Sequence, residues 1–197
     1  NYNFIFDRQL VDIQMKDLIS KLRQPDNIDY IDKSYHPINE IIDGDMSFDE
    51  NENGFLFKKD NKSFDISNTA SGIKSFGVLQ MLLRKGFLEK RKLLILDEPE
   101  VNVHPKWQIE YAKLLVELVE NFGFRVLVTS HSPYFIEAIT IYGDNSKIKE
   151  DINFYKSVKN NDNTVNILPI KESLRKIFDE LTEPLEKLEL DDLGGEI

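Results

Sequence analysis

The sequence contains no cysteine, which excludes a disulfide scaffold, cysteine-ligated zinc and thiol catalysis. It also has no apolar run near the roughly 18 residues that a membrane span requires. The opening residues, Asn1 to Asp7, lack the basic region and small-residue cleavage site of a secretory signal. The expectation is a cytoplasmic chain with no membrane partner. No Met stands at position 1, so Asn1 reads as a boundary inside a longer polypeptide. A further absence matters most below: there is no G-x-x-x-x-G-K-[ST] phosphate loop, and not one Gly-Lys pair.

What is present is ordinary for a globular protein. The 197 residues, 41% hydrophobic and 30% charged, suffice for one domain with a buried core. The net charge of −10 is lopsided: residues Asp179 to Ile197 hold eight acids against one lysine, leaving only −3 for the rest. No broad basic stripe favours nucleic acid, so DNA stays an open partner that charge does not support. The one basic cluster, Arg84, Lys85, Lys90, Arg91 and Lys92, reads as a solvated helix end, where cations suit the helix dipole.

Periodicity divides the chain into three stretches. In residues 1–66, Val11, Met15, Leu18 and Leu22 form the stripe of a helix from Phe4 to Leu22, stopped by Pro25. His36 falls in a polar connection and reads as incidental. Four short runs then suggest an antiparallel meander: Ile38 to Asp43, Met46 to Asp49, Phe55 to Lys59 and Ser63 to Ile66, with Asp43-Gly44, Asn53-Gly54 and Asp60-Asn61 as turns.

In residues 67–140 the period becomes helical after Gly72, with Ser71 as expected N-cap and Ile73, Phe76, Leu79, Leu83 and Phe87 on one face. Lys92 to Leu96 is a continuous apolar run suited to a strand covered on both faces. Pro105 opens a helix that Gly123 ends, with Trp107 as core, and Arg125 to Thr129 is a second strand. Such a βαβ unit is right-handed almost by rule. Residues 141–197 read as a hairpin (Ile152 to Val158, Thr164 to Leu168) and two helices, Lys171 to Leu181 and Glu183 to Leu193, with Thr182 capping the second. The fold class is α/β, with a parallel core, a small meander and C-terminal helices.

Asp97 and Glu98 end a buried strand, at the sheet edge where α/β folds bind ligands. Neighbours on a strand face opposite ways, so the two acids can take different tasks. Asp97 suits a magnesium ion, which keeps most of its water and few protein ligands. Glu98 suits the orientation and deprotonation of a water attacking a γ-phosphate.

Four motifs then run in order from Asn68 to Pro133. Leu93-Leu-Ile-Leu-Asp-Glu98 resembles a Walker B strand with its glutamate, and Glu100-Val-Asn-Val-His-Pro105 resembles a D-loop. Thr129-Ser-His-Ser-Pro133 is similar to a switch-histidine loop, and Asn68-Thr-Ala-Ser-Gly-Ile-Lys74 to a signature motif, a loop that opens a helix toward phosphate. The chain thus resembles the second half of an ABC-type P-loop ATPase head, in the branch of the bacterial overcoming-lysogenization-defect ATPases.

That resemblance implies ATP and Mg2+ as cofactors and a homodimer that sandwiches ATP. It makes Ser71, Gly72, Lys74 and Asn102 nucleotide-binding residues, with Ser71 and Gly72 acting across the dimer and Asn102 near the interface, and puts His131 at the γ-phosphate beside Glu98. His104 is expected to fix the turn before Pro105. Two departures stand out. Ala70 replaces the usual signature serine, and the phosphate loop is missing, so these residues alone are expected neither to bind ATP tightly nor to hydrolyse it. An incomplete sheet should also expose apolar surface. An effector, such as a nuclease, is expected on a separate chain, with phage defence or DNA metabolism as the setting. The alternative is a degenerate head that serves as a nucleotide-independent dimerisation module.

Overall fold

The computed structural model describes residues 13–27, 36–170, 178–183 and 188. Helix α1 is Ile13–Leu22; the expected start of this helix at Phe4 lies outside the described residues. Its Leu22 is buried and Leu18 packs against the core.

The run from Ile38 to Asp43, expected as a strand, is helical: α2 spans His36–Ile42. Ile38, Ile41 and Ile42 stand at i, i+3 and i+4, one face of a helix, and Ile38 and Ile42 are buried in the core. Asp43 then turns the chain at φ +50°. The meander therefore has three strands, β1 Asp45–Asp49, β2 Gly54–Lys59 and β3 Lys62–Asp65, antiparallel in the order β1-β2-β3. Asp60 and Asn61 both take positive φ, as a two-residue type I′ hairpin turn requires.

Helix α3, Ser71–Arg84, ties the meander to the rest. Its Gln80, fully buried, accepts the Met46 backbone N–H at 2.7 Å and donates to Asn39 Oδ1 and the Gly44 carbonyl. Arg84, also buried, pairs with Asp26 at 2.8 Å and Asp45 at 2.6 Å and donates to the Met46 carbonyl. Lys85 pairs with Asp26 at 3.1 Å. Arg84 and Lys85 are thus structural ion-pair partners, contrary to the expected solvated helix end. Gly77 allows this approach, because a Cβ there would lie 2.6 Å from Met46 Sδ.

The α3 residues Phe76, Leu79, Met81 and Leu83 form the centre of the core with Tyr111, Leu114, Leu115 and Leu118 of α4, Pro105–Phe122. Pro105 opens α4 and Gly123, in the left-handed region at φ +67°, closes it, as glycine at this position commonly does. Trp107 packs edge-to-face on Phe76, a core role as expected. The parallel strands β4 Leu93–Asp97 and β5 Arg125–Thr129 flank α4, paired from Leu93↔Arg125 to Asp97↔Thr129.

The sheet is not covered on both faces. Leu94, Leu96, Val126 and Val128 pack on the core, whereas Leu93, Ile95 and Leu127 are 59%, 64% and 55% exposed. The expected apolar exposure is present, and its period of two is the pleat.

The sequence reading had no element after Pro133, where the structure has helix α5, Pro133–Asp144. Ser132 accepts the Phe135 N–H as N-cap, and Pro133 takes the first helical position. The hairpin is β6 Tyr155–Lys159 with β7 Val165–Pro169, antiparallel; it begins at Tyr155 rather than the expected Ile152, and residues Lys149–Asp151 ahead of it form a 3-10 turn. Residues 178–183 are helical without a break. Thr182 is therefore not a cap: its hydroxyl donates back to the Phe178 carbonyl at 2.8 Å. Leu188 is also helical, and the remainder of the two expected C-terminal helices lies outside the described residues.

Candidate functional site at the ends of the parallel strands

The site grows from the last rung of the parallel ladder. Asp97 and Thr129 are register partners, and the Thr129 hydroxyl donates to Asp97 Oδ1. One step further the strand geometry ends. Glu98 adopts φ +45°, a left-handed conformation that costs a glutamate about 1–3 kcal/mol. Its backbone N–H still donates to the Thr129 carbonyl at 3.1 Å, and Pro99, lacking an N–H, cannot extend the ladder. The two acids therefore separate because Glu98 leaves the strand, not because strand neighbours alternate, which corrects the sequence argument.

The twist brings the Glu98 carboxylate to His131, with Oε1 3.1 Å from Nδ1. Both side chains are open to solvent, at 47% and 68%. Asp97 is likewise exposed, with one oxygen engaged by Thr129.

Residues 98–104 form a loop of successive turns, with Val101 N–H donating to the Glu98 carbonyl and Val103 N–H to the Glu100 carbonyl. Asn102 sits at φ +61°, a region asparagine tolerates better than most residues. His104 is the N-cap of α4, its Nδ1 accepting the Lys106 N–H at 3.2 Å, the structural task expected of it.

The start of α3 touches this loop. Ser71 donates its hydroxyl to the Asn102 carbonyl at 2.5 Å, and a Cβ on buried Gly72 would meet Trp107 at 3.4 Å and Val103 at 3.8 Å. Ser71 is consequently not the N-cap. That position is Ala70, which has no capping side chain, and the Ser71 hydroxyl is committed to a carbonyl 31 residues away. Lys74 folds back, with Nζ 3.4 Å from the Ser67 carbonyl. Just before this loop, Asp65 accepts the Ser67 backbone N–H and hydroxyl, and these two bonds hold its carboxyl below the usual carboxylate range.

The expected site residues thus fall into two groups: Asp97, Glu98 and His131 at the strand ends, and Ser71, Gly72 and Asn102 at the start of α3. The 98–104 loop joins them, and Lys74 lies apart on the α3 side. Sequence reasoning missed Thr129, Glu100, Ser130, Ser132 and Gln108, which fasten these groups. Glu100 Oε1 takes the Ser130 hydroxyl at 2.5 Å and the His131 N–H at 3.3 Å. Ser132 donates to Gln108 Oε1 at 2.5 Å, and Gln108 donates to the Val103 carbonyl at 2.8 Å. The Ser132-Pro133 pair, a helix-start signal, was the cue to the Ser132 part.

Among the described residues no three His, Cys, Asp or Glu side chains cluster to hold a metal, and no helix is long and apolar enough to cross a membrane. A magnesium ion bound chiefly by phosphate and water needs no such cluster. The exposed Asp97, with an oxygen left over from Thr129, fits that limited demand.

Comparison with known proteins bears on the chain as a whole. The sequence profile of the family described as "AAA domain, putative AbiEii toxin, Type IV TA system" matches residues 6–137. The uncharacterized protein MJ1542 of Methanocaldococcus jannaschii is 28% identical over 136 residues, 64% of this chain and 16% of that protein. The energy-coupling factor transporter ATP-binding protein EcfA2 of Clostridium perfringens is 27% identical over 152 residues, 72% of this chain and 52% of that protein. The chain thus spans about half the length of the transporter relative and far less of the other.

Solved structures are similar in fold. One, from work on ATP-driven dimerization and DNA-stimulated activation of SMC ATPases, has a TM-score of 0.53 at 12% identity, covering 87% of this chain and 94% of that one. The Smc head domain with coiled coil and joint from Pyrococcus yayanosii has a TM-score of 0.54 at 12% identity, covering 80% and 29%. The fold, a mixed α/β architecture with a parallel core, is one that these head domains share.

Proposed function

The chain belongs to this AAA-domain family, and from that premise we propose that it is the catalytic portion of an ATP-hydrolysing head. The observation that carries the reading is the exposed Glu98–His131 pair at 3.1 Å, set at the carboxyl end of a parallel ladder. A carboxylate and an imidazole that meet in the open can each turn to a partner from solvent, a water at the carboxylate and a phosphate oxygen at the imidazole.

In this reading Glu98 orients the attacking water and accepts its proton, a contribution of roughly 10²–10⁴ in rate. His131 donates a hydrogen bond to the γ-phosphate, and Thr129 orients the Asp97 carboxylate. Asp97 is the residue that would hold magnesium, which when bound supplies charge neutralisation at the β- and γ-phosphate oxygens. Ser71, Gly72, Lys74 and Asn102 belong to the face presented to a second copy. The Ser71 hydroxyl, now on the Asn102 carbonyl, would be released to reach phosphate there. The phosphate loop, absent from these 197 residues, must come from polypeptide outside them. The setting we favour is cytoplasmic, with a separate effector protein controlled by ATP-dependent pairing of two heads.

The test is MgATP turnover by a polypeptide that includes these residues and a phosphate loop. Turnover that falls by at least about a hundredfold in Glu98→Gln supports the reading. Absence of turnover in the unsubstituted polypeptide would replace it with a nucleotide-independent pairing module.

A further inference from the structure

Glu100 has no part in the mechanism above, yet its placement is unusual. Two residues beyond exposed Glu98, it is 3% exposed. Its Oε1 accepts the Ser130 hydroxyl and the His131 N–H, both neutral donors. Its Oε2 is buried and has no hydrogen-bond partner among the described residues. A buried carboxylate is costly unless it is paired and fully hydrogen-bonded. Stability therefore gives no reason for an acid at this position.

The contacts of Glu100 supply one. The Glu98–His131 pair is largely exposed, and such surface pairs contribute little by themselves, so the pair cannot hold its own geometry. On one side the ladder bonds from Thr129 fix Glu98. On the other, the histidine's own backbone N–H ends on Glu100. The Glu100 carbonyl meanwhile accepts Val103 N–H, within the loop that Ser71 latches at Asn102.

We propose that Glu100 is a positioning residue, fastening the Ser130–His131 backbone so that the His131 ring stays beside Glu98. Its part in turnover rests on the ATPase reading; its hold on the His131 backbone does not.

The first test uses the 197-residue chain, labelled for NMR, and follows hydrogen exchange of the His131 amide. In Glu100→Ala that amide exchanges roughly tenfold faster, the loss expected for a hydrogen bond to a charged group. Amides of α4 keep their protection, and Glu100→Gln, which retains an acceptor oxygen, restores most of the His131 protection. Should Glu100→Ala not fold, Ser130→Ala, which frees the carboxylate from its other donor, carries the test and gives a smaller acceleration. Wild-type exchange at His131 in whichever of these folds overturns the proposal.

The second test uses the phosphate-loop-bearing polypeptide. Glu100→Ala lowers kcat with KM for ATP unchanged, and Glu100→Gln recovers it; a general loss of folding would not show that rescue with an intact KM. Equal kcat in wild type and Glu100→Ala overturns the catalytic part. Turnover that is indifferent to Glu98→Gln sinks the ATPase reading instead and leaves the exchange result standing.

Discussion

Two regions of this molecule bury polar groups, and they do so differently. Where α3 meets the meander, Gln80 makes bonds to Met46, Asn39 and Gly44. Arg84 there meets two aspartates and a carbonyl. At the strand ends, the acid Glu100 leaves one carboxylate oxygen without a partner among the described residues, and positive φ falls on a glutamate, Glu98, whereas in the meander it falls only on the turn residues Asp43, Asn53, Asp60 and Asn61. A buried polar network whose charge is paired, as Arg84 is with Asp26 and Asp45, fixes the packing of its elements. One that is under-satisfied and carries backbone strain marks a place where geometry is held for another purpose. Substitutions should therefore divide: those in the first region should move stability, and those in the second should move function.

The largest stability effect is expected at Gln80. Gln80→Leu keeps the bulk but orphans the buried Met46 N–H, Asn39 Oδ1 on α2 and the Gly44 carbonyl, and each unmet buried group costs about 1–3 kcal/mol. A loss of roughly 3 kcal/mol should appear as a lower urea midpoint at an unchanged m-value. A midpoint within error of wild type would dissolve the contrast between the two regions.

Arg84→Met comes next. Breaking a buried ion pair by removing one partner costs about 3–5 kcal/mol, but Asp26 and Asp45 are 36% and 40% exposed and return to water. The expected loss is about 2 kcal/mol, read in the same titration. A loss no larger than that of Lys92→Met, whose Glu89 partner is exposed, would count against Arg84 as a structural anchor.

Glu98→Gly should run the other way. Glycine takes φ +45° without steric cost, so relief of strain of the order of 1 kcal/mol is partly offset by greater unfolded-state entropy. The expected outcome is a midpoint equal to or slightly above wild type, together with loss of whatever turnover depends on the carboxylate. A clear destabilisation would mean that the left-handed turn is held by the Glu98 side chain and not imposed on it.

The same contrast explains what was legible in the sequence. The βαβ unit could be read because its signals are local: two apolar runs, Pro105 at the start of α4 and Gly123 at its end. The acids at the strand end followed from those runs. The helix at His36–Ile42 was misread because Ile38, Ile41 and Ile42 lie within five residues, too few to separate a period of 3.6 from a period of two. Ser71 was misassigned as a cap because its partner, the Asn102 carbonyl, is distant in sequence. The positive φ of Glu98 carries no residue signature at all, and the proline that follows points instead to extended backbone. Glu100 was passed over as part of a motif because burial of an acid is visible only once α4 and the Ser130 loop have closed over it.

The smallest effect tests whether the approach to α3 belongs with the satisfied region or the strained one. Asp65 accepts both the hydroxyl and the backbone N–H of Ser67, and its folded pKa is lowered for that reason. A carboxyl depressed in the folded state contributes stability that is present above the unfolded value, about 3.9. That contribution is lost as pH falls below this value and through the lower folded one. Asp65 is exposed, so solvent screening keeps the contribution under about 0.5 kcal/mol. In Ser67→Ala the largest cause of the depression is gone, and the decline in stability below pH 4 should be shallower than in wild type. The comparison is made by urea midpoints at pH 5 and at pH 3. Parallel declines would show that the turn ahead of Ser71 is set by backbone packing alone. The loop that meets Asn102 would then owe nothing to the Asp65 carboxylate.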